Sequence, residues 1–160
     1  MKTIPLTQGQ VALVSNVDYQ ALNKFKWYAH KDRHAKTFYA LRHRKDENGK
    51  AMRWGMHNEI RGRKFVDHKN GNGLDNRRAN LRPATPSQNM HNQQLRTNNT
   101  SGAKGVYWHK IAKKWAARIS VNYERIYLGL FDNVEDAVDA YVKAARKHFG
   151  NFARPARASI

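Results

Sequence analysis

The stretch from Val66 to Asn92, VDHKNGNGLDNRRANLRPATPSQNMHN, constrains this chain more than any other segment. Its middle is crowded with Asn, Arg and Gly and nearly free of aliphatic side chains. NGNGLDNRRA cannot be helix or strand throughout, so something other than a regular ladder must order it. Fixing a long polar loop costs conformational entropy, and long ordered loops are usually functional. The flanks are more regular. Phe65-Val66 reads as the end of a short strand with Asp67-His68 at its edge, and 80–84 reads as a return strand. Thr85 suits an N-cap, Pro86 the first helical position and Gln88 the third position of a capping box. A helix should start there and carry Asn89, Met90 and His91.

Residues 1 to about 57 read as β-structure. Val11 and Leu13 mark a short strand, 17–25 a helical turn, and KWYAH and TFYALRHR two strands rich in aromatics. Asn48-Gly49 is a hairpin signal, because both residues tolerate positive φ. Met52, Trp54 and Met56 then alternate with Arg53, Gly55 and His57, the pattern of a strand with one buried face. RTNNTSGAK (96–104) reads as a linker. Beyond it GVYWHK, KWAARISV and RIYLGLF read as three short strands. A helix follows, with Asp132 as N-cap, Glu135 three residues on and Gly150 as the stop. Val134, Ala137, Val138, Tyr141, Ala144 and Ala145 form its apolar stripe. The expected class is α+β: a β-rich N-terminal region leading into a strand–strand–helix motif, then a small three-stranded antiparallel sheet packed on one helix. The expected divisions are 1–95 (motif about 55–92), a linker at 96–104, a second domain at 105–154 and a tail at 155–160.

Charge narrows the partner. Among 160 residues, 30 Lys and Arg face 12 Asp and Glu, a net +18. That field favours a polyanion, and four Trp, seven Tyr and six Phe argue against a disordered basic tail. Nucleic acid is the first candidate; no long apolar run supports a membrane. No cysteine is present, which removes disulfides and thiolate metal sites and fits a reducing compartment. MKTIPLTQGQ lacks a signal-length apolar core, so a cytoplasmic protein is expected.

Phosphodiester hydrolysis needs an activated water and help for charge on the phosphate and the leaving oxygen. A near-neutral histidine suits the first task and a hard cation held by oxygen ligands the second. Asp67 and His68 are adjacent at a strand end, and Asn89 lies on the helix that follows. A calcium loop in DHKNGNGLD is disfavoured, because Lys69 stands where an oxygen ligand is needed. His30 and His34 are spaced like a helical zinc pair but sit in a hairpin without further ligands.

VDHKNGNGLDNRRANL followed by SQNMHN resembles the HNH nucleases of the His-Me finger (ββα-metal) class, and within it the homing endonucleases of phage and intron type. The resemblance spans roughly 55 to 92. It implies His68 as general base and Asp67 and Asn89 as ligands of one divalent metal, Mg²⁺ with Mn²⁺ able to substitute, rather than zinc. It implies that Asn80 holds the motif's geometry and orients the histidine, and that products carry 5′ phosphate and 3′ hydroxyl ends. Many members have histidine as the last ligand; this chain has Asn89. His91, about 200° further around a helix, should face away. Asn92 shares Asn89's face as a reserve ligand. His57, in MHNEI, is a supporting candidate.

The three strands and the helix after the linker resemble the Apetala-two (ethylene-response-factor) DNA-binding domain over about 102 to 154. By alternation, Val106, Trp108, Trp115, Ala117, Ile119, Ile126 and Leu128 should face the helix. Tyr107, His109, Lys114, Ala116, Arg118, Ser120, Arg125 and Tyr127 should face outward. Cations and aromatics on an outward face suit groove and phosphate contact. The implied DNA contacts are Tyr107, His109, Lys114, Arg118, Ser120, Arg125 and Tyr127. Two of the family's usual arginines are replaced, at Tyr107 and His109, so the plant target sequence is not implied. Lys31, Arg33, Lys36, Arg42, Arg44, Arg53, Arg61, Arg63 and Lys64 form a basic set that would extend the footprint. The expectation is a nuclease acting as a monomer on double-stranded DNA. The rivals are a non-cutting DNA-binding regulator and a basic RNA-binding protein.

Overall fold

Because most apolar runs are short, the first half is built from small pieces around a shared core. The computed structural model describes residues 1–33, 37–93, 95 and 98–154; His34, Lys36, positions 96–97 of the expected linker and the tail 155–160 lie outside the described residues. The chain divides into two units, Met1–Asn89 and Met90–Ile160.

The first unit runs β1 (Lys2–Pro5), β2 (Val11–Val14), α1 (Asn16–Leu22), β3 (Tyr28–His30), β4 (Tyr39–Lys45), β5 (Ala51–Gly55), α2 (Met56–Arg61), β6 (Val66–His68), β7 (Asp75–Asn76), β8 (Leu81–Pro83) and into α3 (Pro86–His91). The strands form three sheets: β1-β2-β7, β3-β4-β5 and β6-β8. One core joins them, with Ile4 and Val14 from the first sheet, Ala40 from the second, Val66 and Leu81 from the third, and Leu22, Met56 and Ile60 from α1 and α2. The capping box forms as its sequence predicts: Gln88 N–H donates to Thr85 Oγ1 at 3.2 Å and Thr85 N–H to Gln88 Oε1 at 2.8 Å.

β2 forms where the short strand was expected, with Ala12 and Val14 buried and Val11 exposed. One reading of this unit needs correction, and it concerns His57. His57 does not continue a strand; it lies on α2, which buries Met56 and Ile60 one turn apart and stops at Gly62 with φ 63°. The two-residue alternation ends at Met56, where a four-residue spacing takes over. β7 contains no apolar residue, yet it pairs in parallel with β2, Leu13 opposite Asp75 and Val14 opposite Asn76.

The second unit is a three-stranded antiparallel sheet, β9 (Val106–His109), β10 (Lys114–Val121) and β11 (Glu124–Phe131), followed by α4 (Val134–Phe149). Ala117, Ala137 and Ala145 are wholly or almost wholly buried together with Ile119 and Tyr141, so small residues let the helix lie close to the sheet. Residues 98–104 pack as turns of this unit: Ala103 is fully buried and Ser101 Oγ bonds Val106 O at 2.8 Å. α4 is capped one residue later than expected, by Asn133, whose Oδ1 accepts from Asp136 N–H at 2.8 Å. Asp132 pairs with Lys114 instead.

The face assignment holds from Ala117 to Ser120 of β10 but fails at Ala116, at Trp108 of β9 and at Ile126 of β11. The register shifts at Ala117/Arg118, opposite Gly129 and Tyr127 respectively, leaving Leu128 as a bulge. Trp108 and Ile126, expected inside, are 46% and 37% exposed, and Ala116, expected outside, is fully covered. Trp108 packs edge-on against Trp115 with ring centroids 5.4 Å apart.

Candidate active site and nucleic-acid face

The polar loop is ordered by its own side chains. Asn80 Oδ1 accepts from Asn70 N–H at 3.0 Å, and its Nδ2 donates to Asn70 Oδ1 at 3.0 Å and to Asp75 O at 2.7 Å. Asn70 Nδ2 reaches Asp75 Oδ2 at 2.9 Å, and Arg77 grips the same carboxylate at 2.6 and 2.7 Å. The Arg77 hydrogen bond holds the Asp75 carboxyl below its usual pKa. Arg78 forks onto Asp18 of α1 at 2.6 to 3.0 Å. These bonds replace the backbone ladder that a Gly- and Asn-rich loop cannot make.

The loop closes over His68. Val66, Asp67 and His68 of β6 are all buried. The His68 ring meets His57 edge-on at 5.0 Å and Tyr39 at 5.8 Å. Its Nε2 lies 3.3 Å from Oδ1 of Asn76, a fully buried side chain whose Nδ2 donates to Gly73 O at 3.4 Å. Two glycines allow this closure. A Cβ on Gly73 would sit 2.6 Å from the Tyr39 ring, and one on Gly55 would sit 2.5 Å from the His57 ring. Burial pushes His68 below its ordinary pKa, partly offset by the Asn76 bond and by Asp67 and Asp75. Burial, and His68 beside it, push His57 down to about 3. Both imidazoles are therefore neutral near pH 7, and a neutral imidazole can take a proton.

Sequence reasoning missed Asn76 as the side chain that hydrogen-bonds His68. Asn80 clamps the loop beneath it. In a run of turn formers Asn76 reads as one more; its only distinguishing signal is its place beside Asp75.

Asp67 stands opposite Arg82 in the β6–β8 pair, and Arg82 Nε donates to its Oδ2 at 2.7 Å. Asn89 lies on α3, its backbone N–H bonded to Thr85 O at 3.0 Å and its side-chain Oδ1 buried without a hydrogen-bond partner among the described residues. A carboxylate and an orphaned amide oxygen are the hard donors that Mg²⁺ or Mn²⁺ takes. The donor set therefore fits a divalent metal, with Arg82 sharing the carboxylate.

Of the remaining candidates, Asn92 is buried just beyond α3. His91 stacks on Phe149, centroids 3.5 Å apart and 12° from parallel, as a packing residue. His30 bonds Asp32 at 2.9 Å. Part of the basic set turns inward: Arg42 pairs with Glu59 at 2.9 Å, Arg44 lies over Trp54 at 4.0 Å, and Arg61 bonds the carbonyls of Arg78 and Leu81. Lys31, Arg33, Arg53, Arg63 and Lys64 are exposed.

In the second unit Tyr107, Arg118, Ser120, Arg125 and Tyr127 are exposed. The register sets Arg118 opposite Tyr127 and Ser120 opposite Arg125, and the Arg118 guanidinium lies 5.0 Å from the Tyr107 ring centre. Two expected contacts have structural partners. His109 Nδ1 accepts from Ala112 N–H at 3.1 Å within the hairpin, and Lys114 pairs with Asp132 at 2.9 Å.

Comparison with known proteins agrees with this geometry. Residues 54–91 match the HNH endonuclease family. The chain is 32% identical to Protein 3.8 of Escherichia phage T7 over 90 residues, covering 56% of this chain and 74% of that protein. It is 28% identical to an uncharacterized HNH endonuclease of Acanthamoeba polyphaga mimivirus over 155 residues, covering 92% of this chain and 75% of that protein. No solved structure matches. Residues 54–91 therefore carry an HNH endonuclease domain, of a family of nucleases that use a divalent metal and whose domain implies a DNA substrate.

Proposed function

We propose that the protein is a site-specific homing endonuclease that cuts double-stranded DNA by hydrolysis. His68 takes the proton of the attacking water. Asp67 and Asn89 hold one divalent metal, Mg²⁺ or in its place Mn²⁺, which when bound supplies positive charge for the phosphate and the leaving 3′ oxygen. Asn80 fixes the loop, and Asn76 holds the His68 ring. The observation that carries the reading is the neutral, buried His68 beside a carboxylate, with Asn89 Oδ1 on the next helix buried and without a hydrogen-bond partner among the described residues. A hydrogen-bonded, desolvated base next to oxygen donors suits water activation at a phosphodiester.

The exposed Arg118, Arg125, Tyr107 and Tyr127 support the second unit as the DNA-reading part, similar in layout to the Apetala-two domain. The protein works as a monomer in the cytoplasm of a bacterial host, encoded by a phage or an intron. One site per chain gives a nick, or a double-strand break when two copies act.

The test of homing is a pair of linear duplexes. One carries the uninterrupted sequence flanking this gene, the other the same locus with the gene in place. Cleavage of the first alone, with Mg²⁺ and not with EDTA, is expected, leaving 5′ phosphate ends. Equal cleavage of both would refute homing and leave a nuclease of another role. Tight binding to both without cutting in Mg²⁺ or Mn²⁺ would favour the regulator.

A further inference from the structure

The hairpin joining β10 to β11 has an unusual tip. Val121 pairs with Glu124, so Asn122 and Tyr123 form a two-residue loop. Their φ values are 50° and 69°. Positive φ at both positions is the pattern for which Asn-Gly is preferred, because a side chain in the left-handed region crowds its own backbone. Asn122 fits. Tyr123 stands where glycine belongs, a bulky residue in a conformation that disfavours it.

Nothing in the unit offsets that strain. The Tyr123 side chain is fully exposed, at 106% of its reference area, and it makes no hydrogen bond or ring contact with any described residue. Gln8, another non-glycine residue with positive φ, bonds Ala29 O through its side chain. Strain kept where the fold gains nothing points to a use outside the fold. The strands leading from the tip carry Ser120 opposite Arg125 and Arg118 opposite Tyr127, all exposed. Cations can hold phosphates while an aromatic ring at the end of a rigid hairpin reaches the bases.

We propose that Tyr123 is a DNA-contacting wedge, its ring packing against bases at a step of duplex DNA while Arg118 and Arg125 engage the backbone. This rests on the reading of the second unit as DNA-binding.

The test uses the full chain in EDTA, so that binding is read without cleavage. A short mixed-sequence duplex labelled with fluorescein reports Kd, and the same duplex with 2-aminopurine reports unstacking. Wild type, Tyr123→Gly and Tyr123→Phe are compared, each with its Tm. Tyr123→Gly relieves the left-handed strain, so its Tm should be unchanged or higher, by up to about 5 °C. Its affinity should nevertheless fall by roughly 5- to 50-fold, the scale of one lost aromatic–base contact. Tyr123→Phe should bind like wild type, and 2-aminopurine emission should rise with both ring-bearing proteins and not with glycine. Tyr123→Gly binding as tightly as wild type would overturn the proposal, as would a lowered Tm, which would make the ring structural. Failure of wild type to bind any duplex would instead remove the DNA-binding reading, and this proposal with it.

Discussion

His68 is held neutral by burial, and that sets a pH signature. Its folded pKa lies below the ordinary 6.5, so it stays a competent base where an exposed histidine would already be half protonated. The acid limb of kcat against pH should therefore lie below 6.5. The same shift makes the folded state resist a proton that the unfolded chain accepts. Stability should decline as pH falls from 6.5 toward the folded value, and thermal melts across that window check the sign. Asn76→Ala leaves the buried Nε2 without this partner and should cost about 1–3 kcal/mol of stability with a loss in kcat, measured by melting and by single-turnover cleavage. Gly73→Ala should have a similar cost, because its methyl would drive into Tyr39, the wall of the histidine pocket. The residues expected at the site from spacing (Asp67, His68, Asn80, Asn89) lie on β6, the loop and α3. Asn76 was illegible, because its partner His68 is met only once the loop folds back and β7 joins β2.

Elements show where local pattern suffices and where tertiary context decides. The α3 capping box needs only Thr85, Pro86 and Gln88, so its start could be read directly; Thr85→Ala should cost about 1 kcal/mol in thermal stability. β7 could not be read, since Asp75 and Asn76 have no strand propensity and are placed by β2, Asn70, Asn80 and Arg77. α2 hid because Met52, Trp54 and Met56 keep a strand's period up to the first helical residue. The β11 bulge hid because nothing in RIYLGLF marks Leu128 as the residue left without a partner on β10. Asp75 gives the loop its own titration. Its carboxyl is depressed from 3.8, so its contribution is full above that value and is lost as pH falls through the lower folded value. Asp75→Asn should lower Tm at pH 7 and flatten the acid limb of stability.

At the scale of the whole chain, charge and chemistry point to the same partner. A net +18 with exposed cations in both units predicts that DNA affinity falls steeply with salt, and log Kd against log salt concentration would measure the slope. Arg118→Ala should weaken binding and make that slope shallower by about one, as expected for one lost phosphate contact. Arg42→Ala, by contrast, should act mainly on stability, since that guanidinium is spoken for by Glu59 and the Phe25 ring.

The central claim, that His68 performs metal-dependent DNA cleavage, is tested most directly by nicking of supercoiled plasmid carrying the uninterrupted flanking sequence. Wild type and His68→Ala are compared in Mg²⁺ and in EDTA, with a gel shift to confirm binding. The account predicts relaxation by wild type only with metal, and a loss of roughly 10²–10⁴-fold in His68→Ala with binding retained. Equal cleavage by both proteins, or cleavage that survives EDTA, would contradict it.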